Sequence, residues 1–203
     1  MKKCMKRIGI CLLAACIAWT TMLIADKEKL QNELIRLHVV AASDSAEDQA
    51  LKLRVRDAVV ESLQRDMVNV ADPEQARAYL QENLPKIEAL ANRVLTAAGC
   101  PDVATVTLQL EEFATRYYDT FTLPAGIYEA LRITIGEGEG RNWWCVVFPT
   151  LCVGATVEEF EEIAHCAGLS ENLTDTLTGK EGYEVRFFFL DALGKLENFL
   201  SKG

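Results

Sequence analysis

Hydrophobic and polar positions divide the chain into a leader and a body. Residues 8–25 contain no charged side chain, and at a rise of about 1.5 Å per residue this stretch is close to the thickness of a bilayer core. Four lysine and arginine residues come before it, and Asp26 comes directly after it. Because positive charge favours the inner side of a membrane, the pattern predicts an exported body and makes residues 1–25 a signal peptide or a membrane anchor.

The processing of this leader has three interpretations, and each of them exports the body. Cleavage before Trp19 is favoured by the small residues Cys16 and Ala18, whereas cleavage after Ala25 is weaker because a leucine stands three residues before the cut. Retention of the leader would instead anchor the body in the membrane. Residues 13–16 also resemble the lipobox of bacterial lipoproteins, which makes Cys16 a lipidation candidate, but the apolar run that continues beyond it counts against lipidation.

The first half of the body begins with a strand pattern and continues with two helical patterns. Residues 34–41 are rich in β-branched residues and partly alternate, which predicts a strand. Ser45 opens a capping box, and apolar residues recur at helical spacing over residues 46–68. A second amphipathic helix is predicted over residues 73–98, and Pro85 should kink or split it.

The second half of the body reads mainly as strands followed by a tail. Strands that form a mainly antiparallel meander around residues 103–148 are predicted over 103–113, 115–123, 127–135 and 143–148. The tail is predicted to hold a helix over 157–167, a short strand over 183–190 and an amphipathic helical turn or two over 192–200. The fold class is therefore α+β, with an N-terminal strand and helices, then the sheet, then a helical C-terminal tail.

Charge argues against one large class of function. The chain has a net charge of −9, and the leader holds basic residues and no acid, so the body is more acidic than the whole chain. Phosphate backbones attract clusters of lysine and arginine, which excludes nucleic acid as the expected partner. An acidic body favours solubility, and it could also steer the protein toward a basic partner.

The residues typical of metal and cofactor sites do not occur in the required patterns. The sequence has no C-x-x-C or H-x-x-x-H spacing, and no zinc site, cofactor or small-molecule ligand is expected. Gly136, Gly138 and Gly140 do not form a phosphate loop, because they lead into a strand and because Glu137 and Glu139 would repel phosphate. A flexible hairpin connection is the favoured interpretation of these glycines.

Candidates for catalysis are few. Only His38 and His165 could serve as the usual general base, and the chain has neither a Gly-x-Ser-x-Gly elbow nor the Asp-Thr-Gly of an aspartic protease. Glu111 and Glu112 could mimic a glycosidase pair, as could the two glutamates of the glycine segment, but a solvated charged face is the commoner explanation of such residues. The sequence therefore predicts no catalytic residues and a protein that is not an enzyme.

Two further features concern the strand after the glycines. Successive strand residues point to opposite faces, so if one of Trp143 and Trp144 enters the core, the other faces a second layer or a partner. Cys145 and Cys152 are spaced so that a hairpin could join them in a disulfide. The alternative is that the cysteines of the body are small buried hydrophobic residues.

Two sequence blocks, 36–59 and 123–149, carry a family resemblance. The second contains Gly-Glu-Gly-Glu-Gly-Arg-Asn-Trp-Trp-Cys, and together the blocks resemble the stage II sporulation protein R family over about residues 34–152. Residues 153–203 then form a C-terminal extension, expected to pack on the same domain.

The resemblance implies a signal rather than an enzyme. Members of this family are made in the forespore and exported into the space between the forespore and mother-cell membranes. There they activate a membrane-embedded aspartic protease of the mother cell, stage II sporulation protein GA, which cuts the precursor of sigma factor E. An extracytoplasmic hydrolase acting on cell-wall material and a structural envelope protein are the alternatives. The candidate partner contacts lie on the glycine segment and the strand after it: Glu137, Glu139, Arg141, Asn142, Trp143 and Trp144.

Overall fold

A four-stranded mixed sheet lies between two layers of helices, which confirms the α+β class. The computed structural model describes residues 2–70, 72–149, 157–166 and 168–202. Its elements in chain order are α1 Lys2–Glu33, β1 Ile35–Val40, α2 Ala46–Asp66, α3 Pro73–Ala97, β2 Ala104–Phe113, β3 Arg116–Tyr117, β4 Thr122–Leu123, β5 Gly126–Ile135, β6 Asn142–Phe148, α4 Val157–Cys166, α5 Glu171–Thr178 and α6 Glu184–Leu200.

The strand order of the sheet is β2-β5-β1-β6, which corrects the predicted meander over residues 103–148. The N-terminal strand β1 lies between β5 and β6, parallel to β5 and antiparallel to β6. All six residues of β1 are buried. Burial on both faces is typical of a central strand. It explains why β1 lies between β5 and β6, which would otherwise pair with each other as a hairpin.

Helices α2 and α3 cover one face of the sheet, where Ile35, Leu37 and Val39 of β1 point into the larger apolar core. The predicted capping box is present, because the Ser45 side chain accepts a hydrogen bond from the backbone N–H of Asp48. Helix α3 runs through Pro85 as one helix, so of the two predicted effects of this proline, a kink or a split, the split was wrong. Pro85 lies on the exposed side of α3, where water can bind the carbonyl group that the proline leaves without a partner.

The other face of the sheet is only partly covered. A second apolar cluster packs there between the sheet, the end of α1 and helices α4 to α6. Residues 115–123 form a short hairpin of β3 and β4 instead of the one predicted strand, and residues 183–190 belong to helix α6 instead of a strand. A helix is favoured over a strand here because Leu190 and Gly194, one helical turn apart, both face inward. Gly194 lies directly on the carbonyl oxygen of Ala125.

Helix α1 contains the predicted leader and extends beyond it. Within the described residues, one helix is long and apolar enough to cross a membrane, over Met5–Glu33, and its apolar part is almost entirely exposed. This segment is compatible with a signal sequence or an anchor. The C-terminal part of α1 is instead docked on the domain, where Leu23 and Leu30 are buried and Asp26 forms an ion pair with Arg186 of α6.

Candidate functional site

Alternate residues of the sheet place a group of polar and aromatic side chains on the partly covered face. This group, the His38 cluster, lies where the C-terminal helices no longer cover the strands. All four strands contribute to this cluster. Side chains on one face of a strand recur every second residue, so the members lie on the same face of the sheet. The His38 cluster consists of His38 from β1, Glu111 from β2, Arg132 from β5, and Asn142 and Trp144 from β6.

The centre of the cluster is a hydrogen-bonded pair that bridges strand β5. Nδ1 of His38 lies 2.7 Å from Oε2 of Glu111, although β1 and β2 are not neighbours in the sheet. Between them on β5 stands Ala130, which pairs with Arg36 on one side and Gln109 on the other. The methyl side chain of Ala130 leaves the space in which the imidazole and the carboxylate meet.

Two further donors reach the other oxygen of the carboxylate. Arg132 donates to Oε1 of Glu111 at 3.0 Å, and the side-chain amide of Gln109 donates to the same oxygen at 2.8 Å. Burial alone would raise the pKa of Glu111, but hydrogen bonds from His38 and then Arg132 outweigh it and lower this pKa to about 2. Glu111 is therefore ionised throughout the physiological range.

The imidazole is held on its second nitrogen and on its ring face as well. Nε2 of His38 lies 2.9 Å from Oδ1 of Asn142, and the ring stacks on Trp144 with a centroid distance of 3.7 Å and an interplanar angle of 19°. Phe113 meets Trp144 edge-on at a centroid distance of 4.9 Å. Three strands and the aromatic side chains thus fix the orientation of His38.

This geometry favours a structural role for His38 over acid–base catalysis. The residue is only 4% exposed, and each ring nitrogen already faces an oxygen atom. In the described part of the chain, no serine, threonine or cysteine side chain is hydrogen-bonded to His38, and no group of three or more metal-ligating side chains occurs. A nucleophile-and-base pair would need one free nitrogen and a neighbouring hydroxyl or thiol.

A buried arginine lies beside the cluster on β1. Arg36 is fully buried, and its guanidinium carbon lies 4.1 Å from the ring centroid of Phe113 and 5.1 Å from that of Tyr128. It donates to the hydroxyl oxygen of Tyr118 at 3.0 Å and to the carbonyl oxygen of Cys145 at 3.3 Å. Aromatic faces and neutral acceptors therefore stabilise this cation, which ties the end of the β3–β4 hairpin to the sheet.

The glycine segment forms an ordered turn that packs on the loop after β1. Backbone N–H groups of Glu139 and Gly140 donate to the carbonyl oxygens of Ala42 and Ala41. A Cβ atom on Gly140 would lie 2.2 Å from the carbonyl oxygen of Ser43, so this close approach requires glycine. The predicted hairpin connection is wrong, because β1 lies between β5 and β6 and the glycine segment passes over the end of β1.

The residue after the turn is tied both to the loop before α2 and to α2 itself. The backbone N–H of Arg141 donates to Asp44 at 2.7 Å, and Nζ of Lys52 donates to the carbonyl oxygen of Arg141 at 2.9 Å. Burial, and then the positive charge of Arg141, lower the pKa of Lys52. The side chain of Arg141 itself remains exposed.

The two tryptophans point to opposite faces of the sheet, as the alternation predicts. Trp144 belongs to the His38 cluster, whereas Trp143 lies on the α2 side, 37% exposed, with the guanidinium carbon of Arg56 at 4.2 Å from its ring centroid. The six predicted contact residues thus share one corner of the molecule but divide between two faces. The corner surface, as we call it, comprises the exposed residues Glu137, Glu139, Arg141, Asn142 and Trp143, and Trp144 lies half-buried behind it.

Sequence reasoning missed the partners of His38. Glu111 was expected on a solvated face, but it is an ion-paired member of the cluster, whereas Glu112 next to it does reach the surface and binds Lys202. No prediction was made for Arg132. The signal available for it was its charge within the mainly apolar strand β5, because charged residues are seldom buried in a sheet without a partner.

The described residues include only some of the cysteines for which chemistry was predicted. Cys145 is buried on β6, but Cys152 lies outside the described residues, so their disulfide stays a prediction. Cys16 is exposed on α1, within the apolar stretch.

Comparisons with known proteins give one consistent result. A family model described as stage II sporulation protein R matches residues 31–158, which include the whole sheet. Stage II sporulation protein R of Bacillus subtilis (strain 168) is 33% identical over 185 residues, an alignment that covers 82% of this chain and 83% of that protein. No solved structure matches.

Proposed function

The chain belongs to the stage II sporulation protein R family, and we propose that it is an exported signalling protein of endospore formation. In this proposal it activates a membrane-embedded aspartic protease of the mother cell, stage II sporulation protein GA, which then cuts the precursor of sigma factor E. The observation that carries the proposal is the family match across residues 31–158, because that range includes every strand of the sheet and the corner surface.

Helix α1 supports the proposed location between the forespore and mother-cell membranes. Its apolar stretch follows basic residues and precedes the docked, polar part that begins at Asp26. Such an arrangement places the domain on the outer side of the membrane that the helix enters. The domain would then face the mother-cell membrane and the outward-facing part of the protease.

The corner surface supports a role in contact with that partner. It combines an exposed tryptophan with two exposed glutamates on a turn that backbone hydrogen bonds hold in place. A rigid tryptophan at a surface is typical of residues that dominate binding energy, because it loses little conformational freedom when it is buried. A binder activates an enzyme only if it binds the active form more tightly than the inactive form.

Co-expression of the full chain, the protease and the sigma precursor, in cells without another member of this family, tests the proposal. We expect precursor cleavage, followed by immunoblotting, to depend on the full chain. Replacing Trp143→Ala removes the exposed ring and should weaken activation about tenfold or more, since such contacts contribute about 2 kcal/mol to binding.

The control is Val68→Ala, which shortens another exposed apolar residue, two positions after the C-terminal end of α2. Thermal unfolding of both purified variants confirms that they fold. Cleavage that is the same with and without the full chain would refute the activator role. A normal response to Trp143→Ala would refute only the corner surface as the point of contact.

A further inference from the structure

Helix α6 carries a continuous apolar stripe on its solvent side. Five large apolar residues of this 17-residue helix are each more than half exposed. They recur at intervals of three and four residues, so they lie on one side of the helix together with the exposed Ala192. The members of this α6 stripe are Val185, Phe188, Leu196, Phe199 and Leu200.

The opposite side of α6 is fully used by the fold. Leu190 is completely buried, and Gly194 lies against the backbone at Ala125. Asp191 accepts a hydrogen bond from the backbone N–H of Ala125 at 2.8 Å, which anchors the middle of the helix. The stripe is therefore additional to the core-facing side and is not needed to hold α6 on the domain.

Ion pairs show where α6 meets α1. Asp26 pairs with Arg186 near the start of α6, whereas the adjacent Lys27 pairs with Glu197 near its end, at 2.8 Å. Side chains from both ends of α6 therefore reach the point on α1 at which the apolar stretch ends. A bilayer that the apolar stretch enters would have its surface at the level of α6.

The stripe faces the side from which the apolar part of α1 leaves the domain. Phe189, at the margin of the stripe, meets Trp19 edge-on with a centroid distance of 5.0 Å. Trp19 precedes Asp26, so this contact lies within the apolar stretch of α1. Met22 and Ile24 are exposed on the same part of α1 and add to its apolar surface beside this contact.

We propose that α6 is a membrane-docking helix, whose stripe enters the headgroup and acyl boundary of the bilayer that α1 enters. A helix with one apolar side and one packed or polar side is suited to that boundary. Lipid is the occupant that the structure favours, because the stripe continues a membrane-spanning surface. The exposed lysines beside it, Lys195 and Lys202, are each paired with a carboxylate, so apolar contact and not anionic headgroups should dominate binding. This proposal does not depend on the proposed function.

Thiol protection in vesicles tests the docking. The full chain is reconstituted as Phe188→Cys, as Phe199→Cys and, for the control, as Val103→Cys, an exposed apolar position at the other end of β2 from the contact with α6. A charged, water-soluble maleimide is added to vesicles of phosphatidylcholine, with or without phosphatidylglycerol. Mass spectrometry gives the labelling rate of each peptide relative to the same peptide in denatured protein.

We expect both α6 positions to react about tenfold or more slowly than position 103, in both lipid compositions. Equal rates at all three positions would overturn the proposal. Protection that grows with the protein-to-lipid ratio would also overturn it, because a second copy would then cover the stripe. Protection that requires the co-reconstituted protease would overturn it in favour of a protein partner.

Discussion

At the residue scale, Glu111 and His38 show what the sequence does and does not reveal. The alternation of the strands predicts which side chains share a face, and it correctly separates Trp143 from Trp144. It does not predict that β1 lies beside β5, and only this pairing brings His38 within 2.7 Å of Glu111. Long-range strand order is set by the total burial of the sheet, which no local window of sequence contains.

Replacing Glu111→Gln should lower the free energy of unfolding at neutral pH by about 3 kcal/mol, because the lowered pKa of Glu111 corresponds to that much stabilisation of the charged form. The folded-state pKa lies below the unfolded one, so this stabilisation is complete above pH 4.5 and is lost as the pH falls toward 2. The difference between wild type and variant should shrink over the same interval. Denaturant unfolding at several pH values measures it.

Glu137→Gln serves as the control for that experiment, because Glu137 is exposed on the glycine turn. Its unfolding free energy should stay within about 0.5 kcal/mol of wild type at neutral pH. A difference for Glu111→Gln that does not depend on pH would contradict the pairing described for the cluster.

At the element scale, α6 shows how local propensity can mislead. Residues 183–190 include Tyr183, Val185 and three consecutive phenylalanines, a composition that favours strands. The helix forms because tertiary packing rewards inward residues spaced by three or four, and Gly194 permits the close approach. By contrast, the bounds of α2 and α3 were predictable, since their first turns carry side-chain caps from Ser45 and Asp72.

Replacing Gly194→Ala should destabilise the domain by about 3 kcal/mol, because the added Cβ would stand 1.6 Å from the carbonyl oxygen of Ala125. The matched control is Ala192→Ser, two residues earlier on the exposed side, with an expected change within about 0.5 kcal/mol. Chemical denaturation of both variants measures the difference. Equal stability of the two would show that α6 does not pack against the backbone at Ala125 as described.

At the scale of the whole molecule, the first and last helices of the chain, α1 and α6, pack on each other. Helix α1 was predictable as a leader from its apolar run, but the docking of its last third on α6 was not. That docking depends on contacts such as Asp26 with Arg186, which are 160 residues apart. The apolar run that predicts the leader ends at residue 25, and the helix that contains it continues into the domain as far as Glu33.

A double-mutant cycle measures the strength of this contact between α1 and α6. Asp26→Ala, Arg186→Ala and the double variant should give a coupling free energy of about 2 kcal/mol, because both side chains are mostly buried, 13% and 14% exposed. The control cycle uses Glu61 and Arg65 on α2, a solvent-exposed pair 3.9 Å apart, for which about 0.3 kcal/mol is expected. Equal couplings in the two cycles would argue that α1 is not held by α6.

The central position of β1 determines when the protein can fold. A chain that emerges with its N-terminus first presents this strand early, but both of its neighbours arrive only when Gly126–Phe148 has followed. Until then, a strand that the finished sheet buries completely is open to chaperones and to aggregation. A fragment that stops before Phe148 should therefore yield no folded intermediate.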